Sequence, residues 1–137
     1  MLTEPRYFDH DADIGIVGLG ETVESAFVDA ARAMFAIMVD IDSVAPTHEV
    51  EVAFEEDDLE FALVTWLNEL LAAARADGLV FGAFDLKRDG ATWRCRAWGE
   101  PWNERHERGV EVKGATLTML SVEHGDGGWE ARCLVDV

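Results

Sequence analysis

The stretch DLEFALVTWLNELLAAARADG, residues 58–78, decides the fold class because it carries a clear helical periodicity. Its apolar residues recur at intervals of three and four, which places them on one face of an α-helix. They are Leu59, Ala62, Leu63, Trp66, Leu67, Leu70, Leu71 and Ala74. Asp57 with Glu60 resembles a capping box, and Gly78 is well placed to end the helix. We therefore predict a helix over residues 58–76.

A second helix and several strands are predicted on either side of this stretch. Apolar residues repeat at helical spacing from Val23 to Met38, with Thr22 placed as the N-cap and Glu24 in the first turn. Strands are predicted at residues 7–18 (as one strand or two), 48–56, 79–88, 91–98, 109–122 and 129–136. Two helices packed on a mostly antiparallel or mixed β-sheet give an α+β, two-layer fold. We expect residues 1–137 to form a single domain.

The net charge of the chain is −17, and it is unevenly distributed. Residues 1–60 hold 16 acidic residues against two basic ones, whereas residues 61–137 hold 12 against nine. Such a surface repels nucleic-acid backbones, so we expect no binding to RNA or DNA by this chain alone. An acidic composition with two lysines also suits a cytoplasm rich in salt, because salt screens the self-repulsion. A halophilic source is therefore our hypothesis.

Targeting and redox signals are sparse. The sequence has no N-terminal signal peptide and no apolar run of about 18 residues, so we expect a cytoplasmic protein without a membrane span. Cys95 and Cys133 each lie in a stretch of alternating apolar residues, where a buried free thiol is the expected state. No pair of cysteines has the spacing of a zinc site.

Several familiar motifs fail at identifiable positions. Asp9, Asp11 and Asp13 have the spacing that begins a calcium loop, but the sixth position is Ile14 instead of glycine. The twelfth position is Gly20, where a bidentate glutamate is needed. The chain also lacks a dinucleotide-binding or P-loop glycine motif and a recognisable nucleophile set. The sequence therefore contains no complete enzyme active site.

The run FDHDADIG, residues 8–15, is the first candidate for chemistry. On one regular strand, Asp9, Asp11 and Asp13 would point to the same face. Like charges on one face usually need a cation, a basic partner or water to neutralise them. The run is therefore a candidate metal or partner site. His10 would lie on the opposite face, where a structural role is the expected one.

The same run resembles the DHTADIG signature that opens the archease family. Agreement with that family continues in order along the chain, through ESAFVDAARAMFAIM (24–38), WLNELL (66–71), EVKGATLTMLSV (111–122) and WEARCLVDV (129–137). The resemblance is collinear and covers nearly the whole chain.

This resemblance implies an accessory protein instead of an enzyme. Archeases are small acidic helpers of the GTP-dependent, RtcB-type RNA ligase that joins tRNA exons after intron removal. They promote guanylylation of the ligase active-site histidine and sustain multiple turnover. The ligase would be the partner and would carry its own Mn²⁺ and GTP. The archease would bind a divalent ion, taken as Ca²⁺ in the family. The oligomeric state is left open.

The resemblance also assigns residues. Asp13 matches the aspartate of the ADIG motif and becomes the first choice for metal ligand and essential acid. Asp136 and Val137 match the C-terminal oxygens of the family's metal site. Lys113 matches the lysine of the family's VKA motif and would be essential for activation. It could pair with Asp13 or meet a phosphate of the ligase complex, and a surface salt bridge is an equally open alternative.

Four further positions carry weaker expectations. Asp9 matches an acidic position of the family, whereas Asp11 stands where threonine is common, and surface charge is the simpler explanation of both. His106 corresponds to a family histidine that precedes this strand. Thr118 replaces a common histidine, which puts any role of that position in doubt.

Two alternatives of other classes stay open. The first is a chaperone-like binding module for RNA-processing proteins, which would act through an apolar surface and would tolerate loss of Asp13. The second is a metal-dependent hydrolase that uses the aspartates. It is the weaker alternative, because no general base, nucleophile or phosphate cradle accompanies them.

Overall fold

The computed structural model describes residues 6–10 and 13–137, with the backbone alone at residues 6 and 8–10. The strands are β1 (Arg6–His10), β2 (Asp13–Gly20), β3 (His48–Glu55), β4 (Leu79–Asp89), β5 (Thr92–Pro101), β6 (Gly114–Ala115), β7 (Ser121–Gly125) and β8 (Gly128–Asp136). The helices are α1 (Val23–Met38), α2 (Leu59–Asp77) and a short 3₁₀ helix, Ile41–Ser43. No helix in the described part of the chain is long and apolar enough to cross a membrane.

The strands form two antiparallel sheets. The first has the order β1-β2-β8-β6, and β7 also pairs with β8. The second has the order β3-β5-β4. The predicted α+β class is confirmed, but the strands divide between two sheets where we expected one. Both helices contact both sheets, α1 through β2, β8 and β4, and α2 through β3, β4, β6 and β7.

The helix termini follow from local side-chain contacts. Thr22 is the N-cap of α1, as predicted, and its hydroxyl accepts a hydrogen bond from the Ser25 N–H at 3.0 Å. The N-cap of α2 is Asp58, which accepts from the Phe61 N–H at 3.0 Å. The predicted capping by Asp57 is therefore wrong by one residue. Gly78 ends α2 in the left-handed conformation, with φ of 66°.

One hydrophobic core unites the helices and both sheets. The predicted apolar face of α2 is buried, including Trp66, Leu67 and Leu70 with no exposed surface. Phe27 of α1 stacks on Trp93 of β5 at a centroid distance of 5.2 Å and lies 6.3 Å from Trp66. Aromatic rings therefore connect the two helices with the second sheet. Cys95 and Cys133 are buried free thiols, as expected, and burial raises the pKa of each thiol to about 11.

Two strand predictions differ from the structure. The predicted strand 109–122 is wrong, because only residues 114–115 and 121 onward pair with β8. Backbone N–H groups of Gly109 and Val110 bond instead to carbonyls at the end of α1, at 2.8 and 3.0 Å. These bonds satisfy carbonyl groups that the end of α1 leaves without a partner inside the helix. Residues 109–110 therefore do not belong to a strand.

The acidic run at the N-terminal end is not one strand. β1 and β2 are antiparallel neighbours whose register pairs Asp9 with Ile14 and His10 with Asp13. The condition for a shared face, one regular strand, is therefore not met for Asp9 and Asp13, because they lie on two different strands and are not paired with each other. Asp11 itself lies outside the described residues.

Candidate functional site

The sheet register brings together residues from distant parts of the chain at one end of the first sheet. Asp13 of β2 is the direct cross-strand partner of Asp136 of β8. On the other side of β8, Asp136 pairs with Gly114 of β6. The Lys113 N–H donates to the Asp136 carbonyl at 2.7 Å. We name Asp13, Asp136 and Val137 the acidic corner, and Lys113 lies beside it.

Two carboxylates oppose each other in the acidic corner. Directly paired residues of antiparallel strands share a face, with Cβ atoms about 4.5–5.5 Å apart, and like charges at such positions are destabilising. Asp13 is half-buried and Asp136 is exposed. A cation between their oxygens would remove this repulsion, and carboxylate and carbonyl oxygens are ligands that Ca²⁺ prefers. The donor chemistry of the corner therefore fits a hard divalent ion.

The corner alone supplies an incomplete coordination shell. Among the described residues, no group of three or more His, Cys, Asp or Glu side chains is arranged to hold a metal ion. Ca²⁺ usually takes about six to eight oxygen ligands. An ion here would use both aspartates and the backbone oxygen of Val137, and it would need further oxygen ligands, such as water molecules.

The segment that carries Lys113 is held from the side of α2. The amide of Asn68 makes two hydrogen bonds to the backbone of Ala115, accepting from its N–H at 2.9 Å and donating to its carbonyl at 3.1 Å. Arg75 donates to the carbonyls of Val112 and Lys113 at 2.7 and 2.8 Å. These two side chains fix residues 112–115 beside β8, whereas the Lys113 side chain is exposed.

Sequence reasoning missed both of these positioning residues. Asn68 and Arg75 are seven residues apart, which places them on one face of a helix. The available signal was Asn68, a polar residue between the apolar pairs Trp66-Leu67 and Leu70-Leu71. A polar residue bordering such an apolar face needs a hydrogen-bond partner, and here the partner is the β6 backbone.

His106 belongs to a separate buried cluster. Its Nδ1 accepts from the Asn103 N–H at 3.0 Å, so the ring proton lies on Nε2 and is donated to Glu100 at 3.0 Å. Both ring nitrogens are thus occupied. The hydrogen bond from the Ala45 N–H, that from His106 and the guanidinium of Arg105 lower the pKa of Glu100 from 4.5 to about 2. A structural role explains these contacts of His106.

The ionisation of Glu100 makes the stability of the fold depend on pH in the acidic range. Because the pKa of Glu100 is lower in the folded chain, its ionised form stabilises the fold fully above about pH 4.5 and progressively less toward pH 2. We expect Glu100→Gln to lower the melting temperature most above pH 4.5, and the difference from the wild type to shrink toward pH 2. Thermal unfolding of both proteins across this range measures the effect.

Glu51 offers a matched control, because its carboxylate is exposed and lies 3.8 Å from Arg96. Glu51→Gln is expected to leave the melting temperature nearly unchanged, since exposed ion pairs contribute little. A difference between Glu100→Gln and the wild type that is independent of pH would contradict the assignment.

A second concave feature lies away from the acidic corner. A cavity of about 290 Å³ is lined by buried apolar side chains of both helices, such as Phe35 and Leu71, and by Arg75. Trp102 also lines it, and the Arg108 guanidinium stacks over the Trp102 ring at 4.0 Å. The cavity has the apolar character of a binding pocket, but its residues do not form a catalytic set.

Comparison with known proteins gives one consistent result. Residues 6–137 match the model of the Archease protein family. The protein archease of Sulfolobus acidocaldarius is 37% identical over 139 residues, which cover 99% of this chain and 100% of that protein. The protein archease of Pyrococcus furiosus is 38% identical, with 96% of this chain and 97% of that protein covered.

Solved structures agree with these sequence matches. The solution structure of protein 1598 of Methanobacterium thermoautotrophicum has a TM-score of 0.87 at 34% identity, with 97% of this chain and 98% of that chain covered. A crystal structure from Thermotoga maritima, described as an archease and possible chaperone, shares the fold with a TM-score of 0.69 at 19% identity, covering 96% of each chain. The chain belongs to the archease family.

Proposed function

We propose that this archease activates an RtcB-type, GTP-dependent RNA ligase in tRNA exon ligation. In this proposal it promotes guanylylation of the ligase and sustains multiple turnover, as an accessory protein in the cytoplasm without a reaction of its own. The observation that carries the proposal is the direct pairing of Asp13 with Asp136, with Lys113 bonded to the same residue. The family resemblance assigns Asp13 and Lys113 to activation, and it assigns Asp13 and Asp136 to metal binding.

The acidic corner would hold a divalent ion, and we propose Ca²⁺. Such an ion would neutralise the paired carboxylates and supply an electrophilic contact for oxygen atoms of the ligase complex. Asp13 and Asp136 would bind the ion through their carboxylates, and the backbone oxygen of Val137 would complete the set of ligands that this protein provides. Lys113 would present its ammonium group to a phosphate, because Asn68 and Arg75 hold the backbone of residues 112–115 in place.

The charge of the chain suits this role. A net charge of −17 would steer the protein toward the basic RNA-binding face of a ligase and increase the association rate. The same charge disfavours competition for RNA. Mn²⁺ and GTP would belong to the ligase. We propose that the source is halophilic, so assays belong at high salt, where the self-repulsion of the acidic surface is screened.

The test is a turnover count with the cognate ligase, an excess of broken RNA, GTP and Mn²⁺ at high salt. Without this protein, we expect the ligase to complete few ligations per molecule. With the wild-type protein, we expect many, and a faster appearance of guanylylated ligase. Equal turnover with and without the protein would refute the proposed activation.

A chaperone-like module is the second candidate. The Thermotoga maritima relative is described as a possible chaperone, and the apolar cavity beside Trp102 offers a surface of the required kind. This candidate predicts fewer aggregated ligase molecules and unchanged turnover per soluble ligase. Light scattering of the ligase, measured beside the turnover count, separates the two functions.

A further inference from the structure

The edge of the first sheet is interrupted beside the acidic corner. β6 pairs with β8 up to Ala115, opposite Val135, and the Thr116 N–H then donates to the Leu134 carbonyl at 2.9 Å. Pairing resumes only where Ser121 lies opposite Arg132. Between these two points, β8 contains only Cys133, whereas the facing segment contains residues 117–120. Residues 117–120 therefore project from the sheet as a large bulge. Bulges of this kind are frequent at sheet edges and next to functional sites.

Two large apolar side chains of this bulge face solvent. Leu117 is 62% exposed and Met119 is 53% exposed, with the exposed Thr118 between them. We call these three residues the 117–119 bulge. Leu120, the next residue, packs against the core. Within residues 117–120, the exposed apolar side chains are therefore those of the projecting part. They stand out on a chain whose net charge is −17.

The bulge is held in a defined and costly conformation. The Thr116 hydroxyl donates to the Leu134 carbonyl at 3.2 Å, and the Cys133 thiol donates to the Thr116 carbonyl at 3.4 Å. Met119 has φ of 54° and is the single non-glycine residue with positive φ in the part of the chain that the structure describes. Side chains rarely adopt this conformation, and where it persists it often marks a functional surface.

The bulge and the acidic corner share a strand. Leu134, which anchors Thr116, lies two residues before Asp136, a separation of about 7 Å along β8. Lys113 precedes the same edge segment on its other side. A partner that the acidic corner contacts must therefore also face the bulge.

We infer that the 117–119 bulge docks on an apolar surface of the partner ligase, at the border of its basic active-site face. This inference rests on the proposed function. Opposite charges bring two such partners together quickly, whereas buried apolar anchors slow their dissociation. Leu117 and Met119 supply these anchors, and the fixed backbone lowers the cost of ordering them on binding. The flexible thioether of Met119 adapts to an irregular surface.

The decisive experiment titrates the activator against the ligase and separates affinity from maximal turnover. For Leu117→Ser/Met119→Ser we expect the half-saturating concentration to rise about tenfold or more, with maximal turnover unchanged at saturation. Phe61→Ser is the matched control, because Phe61 is 50% exposed on the first turn of α2. It is expected to leave both quantities at wild-type values.

Met119→Gly separates docking from folding. Glycine adopts positive φ without strain, so we expect this variant to be at least as stable as the wild type and still to need a higher half-saturating concentration. Wild-type half-saturation of both bulge variants would overturn the inference, as would an equal effect of Phe61→Ser. A reduced maximum with unchanged half-saturation would also overturn it.

Direct calorimetric binding to the ligase distinguishes failure of this inference from failure of the proposed function. If the wild type binds without stimulating turnover, the proposed function is wrong. The docking inference then stands if the bulge variants bind about tenfold more weakly and falls if they bind equally. If the wild type does not bind, both proposals fail.

Discussion

Replacing Asp13 with asparagine is expected to abolish stimulation of the ligase, lowering stimulated turnover at least about 100-fold while preserving the fold. Asparagine keeps the shape of the side chain but removes the charge that would hold a divalent ion beside Asp136. Because Asp13 and Asp136 are direct cross-strand partners, the variant also loses their mutual repulsion. Without divalent ions we therefore expect its melting temperature to equal or exceed that of the wild type.

The same variant tests whether an ion binds at the acidic corner. Added Ca²⁺ is expected to raise the melting temperature of the wild type, because an ion that binds only the folded state stabilises it. Asp13→Asn should lose most of that increase. Calorimetric unfolding with and without Ca²⁺, measured beside ligase turnover, gives both readouts on one preparation.

A second pair of opposed carboxylates provides the control. Glu123 is the direct partner of Glu130 between β7 and β8, near the opposite end of the first sheet. Glu123→Gln removes one charge from a similar pair, and we expect it to keep full stimulation and the full response to Ca²⁺. Equal stimulation by Asp13→Asn and the wild type would remove Asp13 from the mechanism. Loss of stimulation in Glu123→Gln would indicate a general effect of charge.

Local sequence patterns predicted the helices because these elements depend on short-range periodicity and capping. Thr22 and Gly78 act where the sequence placed them. The segment 109–122 was mispredicted because its alternating apolar residues have different surroundings in the fold. Val112 is fully buried, whereas Val110 is 53% exposed and its N–H bonds to the end of α1. Such a contact depends on tertiary packing, which local alternation does not specify.

The candidate site was predictable only in part. The ADIG motif identified Asp13 through a family resemblance, and the same resemblance pointed to Asp136. Asp13 and Asp136 lie close together because β2 and β8, which come from opposite ends of the sequence, are neighbours in the sheet. Asn68 and Arg75 act through backbone groups of residues 112–115, and backbone acceptors carry no sequence signature. Asn68 stands out in the sequence as a polar residue beside an apolar face, but the backbone groups that it and Arg75 bond become visible only in the fold.

A large effect on stability is expected at Gly18, where β2 touches α1. A Cβ atom on Gly18 would lie 2.1 Å from the Ala26 carbonyl oxygen and 2.5 Å from the Ala30 backbone nitrogen. Neither atom belongs to a flexible side chain. β2 is also paired with β8 along its length and with β1 from Asp13 to Val17, so the strand cannot move away without breaking these backbone hydrogen bonds. The overlap between the added Cβ atom and the α1 backbone can therefore be relieved only if α1 and its buried residues move away from β2.

We therefore expect Gly18→Ala to lower the free energy of unfolding by about 3 kcal/mol or more, at the upper end of overpacking effects. Gly127→Ala is the control, because a Cβ there meets no atom within 4 Å, and we expect a change within about 0.5 kcal/mol. Denaturant unfolding of both variants at high salt measures the difference. If Gly18→Ala were as stable as Gly127→Ala, α1 would have to lie farther from β2 than the structure places it. Since β2 carries Asp13 at its other end, such a displacement would also require a different account of how the acidic corner is supported.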